Sequence, residues 1–150
     1  MIIKTHLVIG LAVFLFFVGH VNSKVILFFS VIFATMLPDI DSTNSFIGHY
    51  RIFRPLQVFT RHRGMLHSFS FCFLASLIVA IVFPKAGLGF FLGYSFHLLA
   101  DSFTIDGIRP FWPSQIEISG FVRSGGKFDG LLYVFFVLLD VLLIILFFAR

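Results

Sequence analysis

Arg61-His62-Arg63-Gly64-Met65-Leu66-His67-Ser68 decides how the chain is read. Two histidines and two arginines stand at the head of the apolar run Leu66–Phe83. The arginines suffice as a positive flank for a membrane helix; the histidines need another reason. Imidazole is the commonest metal ligand among side chains. His62 and His67 are five residues apart with Gly64 between them. A helix would not align that spacing, so His62 is expected in the loop and His67 in the first turn of the helix, with Gly64 permitting a tight turn.

The rest of the chain puts this stretch in a membrane. Of 150 residues, 59% are hydrophobic and 12% charged, and mean hydropathy is +1.03. Soluble domains carry about 25% charge. The 24 Phe suit a lipid-facing surface. Five apolar runs stand out: Leu7–Val21, Val25–Leu37, Leu66–Phe83, Gly87–Ala100 and Leu131–Ala149. Backbone groups in lipid must be bonded internally, and no alternating strand pattern is present, so the runs are expected to be helices. The expected fold is an all-α polytopic membrane bundle, one domain over residues 1–150. It has about five transmembrane or membrane-embedded helices and two long polar loops on one face. Spanning takes about 20 residues, which the third and fifth runs meet. The first, second and fourth are short and must thin the bilayer or extend into flanking polar residues.

Composition also excludes. The single Cys72 rules out a disulfide framework or a cysteine zinc site. A net charge of +4 in such a chain reports topology or anionic headgroups, and no nucleic-acid partner is expected. Lys4 ahead of Leu7–Val18 has the outline of a cleavable leader, but Gly19–Ser23 lacks a small-residue cleavage pattern, so this run is expected to remain as a helix.

Parity carries the functional inference. If all five runs cross, the two long connectors, Pro38–Met65 and Asp101–Gly130, share one face with the N-terminus. That face carries Lys4, Arg51, Arg54, Arg61, Arg63, Arg109, Arg123 and Lys127; the other carries Lys24, Lys85 and Arg150. The positive-inside rule makes the richer face cytoplasmic. His6, Asp39, Asp41, His62, His67, His97, Asp101 and Asp129 all land on it.

Each motif also has a plain reading. His97 and Asp101, four apart, share a helix face, either binding metal or merely bonded to one another. Asp39 and Asp41 end the second run, either as oxygen ligands or as interfacial acids. In an extended segment they would point to opposite sides, so one ligates while the other orients a histidine or acts as general base. His6 alone is unremarkable at an interface. Together they fit a polynuclear nitrogen and oxygen site for a divalent metal, zinc first, with manganese or iron also suited. Such a metal acidifies water and stabilises a phosphoryl transition state. Arg61, Arg63 and Arg109 are candidates to bind substrate phosphate. Asp140, inside the fifth run, shares a helix face with Asp129 and supports a rival reading, a non-catalytic metal-binding or ion-translocating protein.

These residues resemble the YdjM-type family of membrane-bound metal-dependent hydrolases. The likeness rests on Thr5-His6 with Gly10, Leu37-Pro38-Asp39-Ile40-Asp41, His62-Arg63-Gly64 with His67-Ser68, and Gly93-Tyr94 with His97 and Asp101-Ser102. Thr104, Gly107 and Trp112-Pro113 continue it. The family is similar in turn to zinc-dependent phospholipase C and the zinc single-strand nucleases. The resemblance implies metal ligands at His6, Asp39, His62 or His67, His97 and Asp101, and hydrolysis of a phosphoester. Where that family often has a Glu after the second loop, this chain has Asp129, which the resemblance makes a catalytic candidate beside Asp41 and Arg63. The expected function is a membrane-bound phosphoesterase, phospholipase-like, acting on a lipid or other phosphoester at the inner membrane, with membrane lipids as its partners.

Overall fold

The five apolar runs all fold as helices. The computed structural model describes residues 1–43, 45, 48–59 and 63–149. Its helices are α1 (Ile3–Phe17), α2 (Lys24–Met36), the short α3 (Arg54–Phe59), α4 (Phe69–Val82), α5 (Pro84–Ser102) and α6 (Lys127–Phe148). There is no β-strand among the described residues. His62 and Arg61, which the sequence nominated, lie outside them.

Local chemistry sets the boundaries, and in two places it revises the sequence reading. The third run does not form one helix from Leu66. Met65–His67 make a 3-10 turn, and Ser68 then caps α4, its hydroxyl accepting from Phe71 N at 3.1 Å. His67 therefore precedes the helix. Pro84-Lys85-Ala86, which the sequence leaves as the connector between the third and fourth runs, instead opens α5, because proline is favoured at the first helical position. At the other end of the core, Pro38 cannot continue α2, and Pro38–Asp41 tighten into a 3-10 turn.

Among the described residues, two helices are long and apolar enough to cross a membrane: Ile3–His20, which is α1 with its 3-10 extension, and α6. α4, expected to reach spanning length, has 14 residues. Its cap removes three residues of the run.

The second long loop is ordered on itself. Ile108 and Ile118 exchange backbone hydrogen bonds at 2.9 Å, and Ile105 N donates to Val122 O at 3.0 Å. Pro110 O accepts from Phe69 N at 2.9 Å, so this loop also holds the start of α4, beside His67.

α5 is the central helix. α2, α4 and α1 pack on it, and α6 packs on α1. Its closeness to α2 depends on missing side chains. A Cβ at Gly93 would meet Val31 O at 2.2 Å, and one at Gly89 would meet Ser30 Oγ at 2.0 Å. Small residues four apart are the usual device for close helix approach in membranes. The contact fixes which way α5 presents His97 and Asp101.

Gly93→Ala is expected to destabilise the detergent-purified protein by roughly 1–3 kcal/mol through overpacking. Gly130→Ala, where nothing lies within 4 Å, is expected to be neutral or to stabilise by about 0.5–1 kcal/mol through helix propensity. Thermal melts followed by circular dichroism check both; equal effects would contradict the packing account.

Candidate metal centre

Five ionisable side chains from four places in the chain meet at one end of the bundle. His6 comes from the first turns of α1, Asp39 from the turn after α2, and His67 from the turn before α4. His97 and Asp101 come from the last turns of α5. All but Asp39 are buried.

Asp101 sits at the centre. Its Oδ2 lies 3.7 Å from His67 Nε2 and 3.6 Å from His97 Nε2. Asp39 Oδ1 faces the same two nitrogens, at 3.8 Å from each. Asp101 Oδ1 turns the other way, 3.3 Å from His6 Nε2, and the Met1 amino group also lies against it. Two overlapping sets of donor atoms result, His6-His97-Asp101 and Asp39-His67-His97, each within 4.8 Å of one another. A tetrahedral ion with bonds near 2.0–2.1 Å needs donors roughly 3.3 Å apart. The nitrogen-to-oxygen spacings of 3.3–3.8 Å need only small contraction.

The rings are oriented from behind. His97 Nδ1 is 2.7 Å from the Thr35 carbonyl oxygen. A carbonyl only accepts, so Nδ1 carries the proton and, in the neutral ring a metal requires, Nε2 is the ligating nitrogen. His67 Nδ1 lies 3.1 Å from Asp41 Oδ2. Outer partners of this kind are how ligating histidines are held. The His6 and His97 rings stack at 3.9 Å and 14°. Among the described residues, neither His6 Nε2 nor His97 Nε2 has a hydrogen-bond partner. Buried polar atoms are seldom left so, and each such case calls for an ordered water, an ion or a functional role.

A polar cavity of about 660 Å³ opens onto the cluster, lined by Asp39, Ser42, Arg63, Asp101, Asp106 and Ser124 among others. Arg63 stands at its rim with φ +61°, unusual for a residue with a side chain. Its Nη1 donates to Thr104 Oγ1 at 3.0 Å and to Gly107 O at 2.8 Å, while Nη2 lies 3.9 Å from Asp101 Oδ2 and 3.6 Å from Asp106.

Two expected participants are placed elsewhere. Arg109, a candidate for phosphate, bonds Gln115 at 2.9 Å and pairs with Glu117 at 3.4 Å, within its own loop. Asp129, a catalytic candidate, accepts from Thr5 Oγ1 at 2.7 Å, Gly125 N at 2.7 Å and Ile2 N at 3.1 Å. Those bonds occupy its carboxylate and make it a clamp between the starts of α1 and α6, one residue from His6. Asp140 is buried farther along α6 with Oδ1 unpartnered among the described residues.

Sequence reasoning allowed for a carboxylate behind a histidine, the place Asp41 takes, but missed two other supports. Thr35 acts through a backbone carbonyl, which leaves no signature. Tyr94 donates from its hydroxyl to Leu66 O at 2.7 Å, holding the turn that carries His67. A buried tyrosine normally needs such a partner, and that was the one available signal.

Fold and site together define an α-helical membrane protein built around a buried cluster of imidazoles and carboxylates. Within that class, the chain belongs to the family of YdjM inner membrane proteins, whose family model matches residues 1–149. It is 37% identical over 95 residues to the inner membrane protein YdjM of Escherichia coli (strain K12), covering 57% of this chain and 48% of that protein. The YdjM of Shigella flexneri matches equally. An uncharacterized protein of Bacillus subtilis (strain 168), YvsG, is 28% identical over 92 residues, 55% of this chain and 54% of that one. The match thus spans about half the length of these curated relatives. No solved structure matches.

Burial opposes both charges in the pair that holds the polar side of the cluster, but the pairing outweighs it. The His67 imidazole, with His97 and His6 behind it, holds Asp39 down to about 2. The Asp39 and Asp41 carboxylates raise His67 from 6.5 to about 9. A raised histidine contributes stability that is fully present below pH 6.5 and is lost as pH rises through about 9, here at most roughly 3 kcal/mol. EDTA-stripped protein is expected to lose thermal stability between pH 7 and pH 10. His67→Gln should flatten that dependence; a variant that keeps the wild-type slope would assign the titration elsewhere.

Proposed function

We propose that the protein is a membrane-bound metal-dependent phosphoesterase, its metal held by His6, Asp39, His67, His97 and Asp101. One observation carries the reading. Buried Nε2 atoms of His6 and His97, without hydrogen-bond partners among the described residues, converge on a carboxylate that offers one oxygen to each side. The donor set fits a divalent ion, zinc best, with manganese or iron compatible with the same mixture. When bound, such an ion supplies Lewis acidity and brings the pKa of water toward neutrality.

The chain's own residues do the rest. The Thr35 carbonyl and Asp41 fix the His97 and His67 rings. Asp129, through Thr5, fixes the start of α1 and so His6. Arg63, already braced by Thr104 and Gly107, reaches into the polar cavity as the cation for an anionic phosphoester. We further propose that all five long helices cross the bilayer, the short α2 and α4 in a locally thinned membrane. Their outward residues Phe29, Phe33, Phe73 and Ile81 support this, being strongly exposed and apolar. The charge asymmetry supports a cytoplasmic site face.

A second reading, ion translocation, has Asp140 in its favour. It requires metal flux into liposomes that Asp140→Asn abolishes, without phosphoester turnover.

Turnover of bis(p-nitrophenyl) phosphate after EDTA stripping and return of zinc or manganese tests the proposal. His97→Ala and Asp101→Ala are each expected to abolish it. Asp41→Asn should weaken metal affinity about 10- to 100-fold, with turnover recovered at higher metal concentration. Full turnover in both alanine variants would overturn the reading.

A further inference from the structure

Two apolar cavities lie end to end beside the polar one. The first, about 240 Å³, runs between Phe96 of α5, Phe103 just past its end, and Leu132 and Phe136 of α6. The second, about 540 Å³, shares Phe96 and Phe136 and continues along α6 to Leu139 and Leu143. The first cavity abuts the polar cavity: Met1 lines both, and Ala100 of the one is followed by Asp101 of the other. The groove has a structural cause. α5 and α6 each pack along α1 but not closely against one another.

Its length points to the occupant. Leu132 and Leu143 are eleven residues apart, about 16 Å of helix at ~1.5 Å per residue. That is roughly half of a ~30 Å hydrocarbon core, the depth of one leaflet. The groove starts at the level of the buried carboxylates and runs to about the midplane, which is the path of an acyl chain whose headgroup sits at the cluster.

We infer that the α1/α5/α6 groove holds the acyl chain of a lipid whose phosphoester headgroup enters the polar cavity, so that the substrate is a membrane phospholipid. The headgroup half of this inference rests on the phosphoesterase reading; the groove half does not. A chain that moves from bilayer to groove gains no apolar transfer energy, because lipid tails are as apolar as the lining. Affinity must then come from the headgroup, and the groove sets where the phosphoester lies.

The test is photolabelling of the full chain in detergent micelles containing zinc. The probe is hexadecyl phosphate carrying a mid-chain diazirine, and the labelled residues are mapped by mass spectrometry. Label is expected at Phe96, Phe136 and Leu139. Excess hexadecyl phosphate should remove it and excess hexadecanol should not. Leu139→Trp, which fills the groove, should lose it, and Leu138→Trp on the outward face should keep it. Groove label no better competed than label on the outward α4 residues Phe73 and Ile81 overturns the inference. Two mixed outcomes separate the claims. Diester turnover with uncompeted label sinks the groove and leaves the hydrolase. Competed label without turnover sinks the hydrolase and leaves the lipid site.

Discussion

Charged groups buried in a bundle surrounded by lipid are costly unless each meets its opposite. That constraint organises the site end of this chain. Asp101 is shared among three imidazoles, and Asp39 between two of them. Asp41 backs His67, a main-chain carbonyl backs His97, and Asp129 draws three donors from the starts of α1 and α6. Each pairing ties two helix ends together. The polar cluster is thus also the joint at which α1, α2, α4, α5 and α6 are fixed relative to one another.

The glycines of α5 make the joint possible. With Gly89 and Gly93 against the α2 backbone, α5 lies deep enough for His97 to reach the Thr35 carbonyl and for Asp101 to face His67 and His6 at once. A wider spacing would leave these groups buried and unpaired. α6 is attached differently. Its only fully buried residues are Asp129 and Asp140, one side is half-buried against α1 and the other is exposed, as suits a helix on the lipid side of a membrane protein.

Much of this was legible before any coordinates, because the argument used only which end of each apolar run carried a histidine or an aspartate. Parity brought His6, Asp39, His67, His97 and Asp101 to one face, and the structure packs the same five at one end of the bundle. The all-helical fold followed from the lack of strand alternation. The failures have physical causes. Helix α4 is short because Ser68 caps it, and a cap competes with continuation in ways hydropathy does not register. Pro84 lies between two apolar runs yet starts a helix. Arg109 was counted as a phosphate group, although Gln115 and Glu117 stood close enough in sequence to claim it. Asp129 was nominated by the resemblance alone, and its partner Thr5 lies 124 positions away, beyond any local pattern.

The central claim is that this imidazole and carboxylate cluster binds a divalent metal. Metal content of the detergent-purified protein by plasma mass spectrometry, wild type beside the His97→Ala/Asp101→Ala double variant, tests it most directly. The account predicts at least stoichiometric zinc or manganese in the wild type, lost in the variant. Background metal in the wild type after incubation with zinc and with manganese would contradict it, and would leave the buried cluster as a purely structural joint.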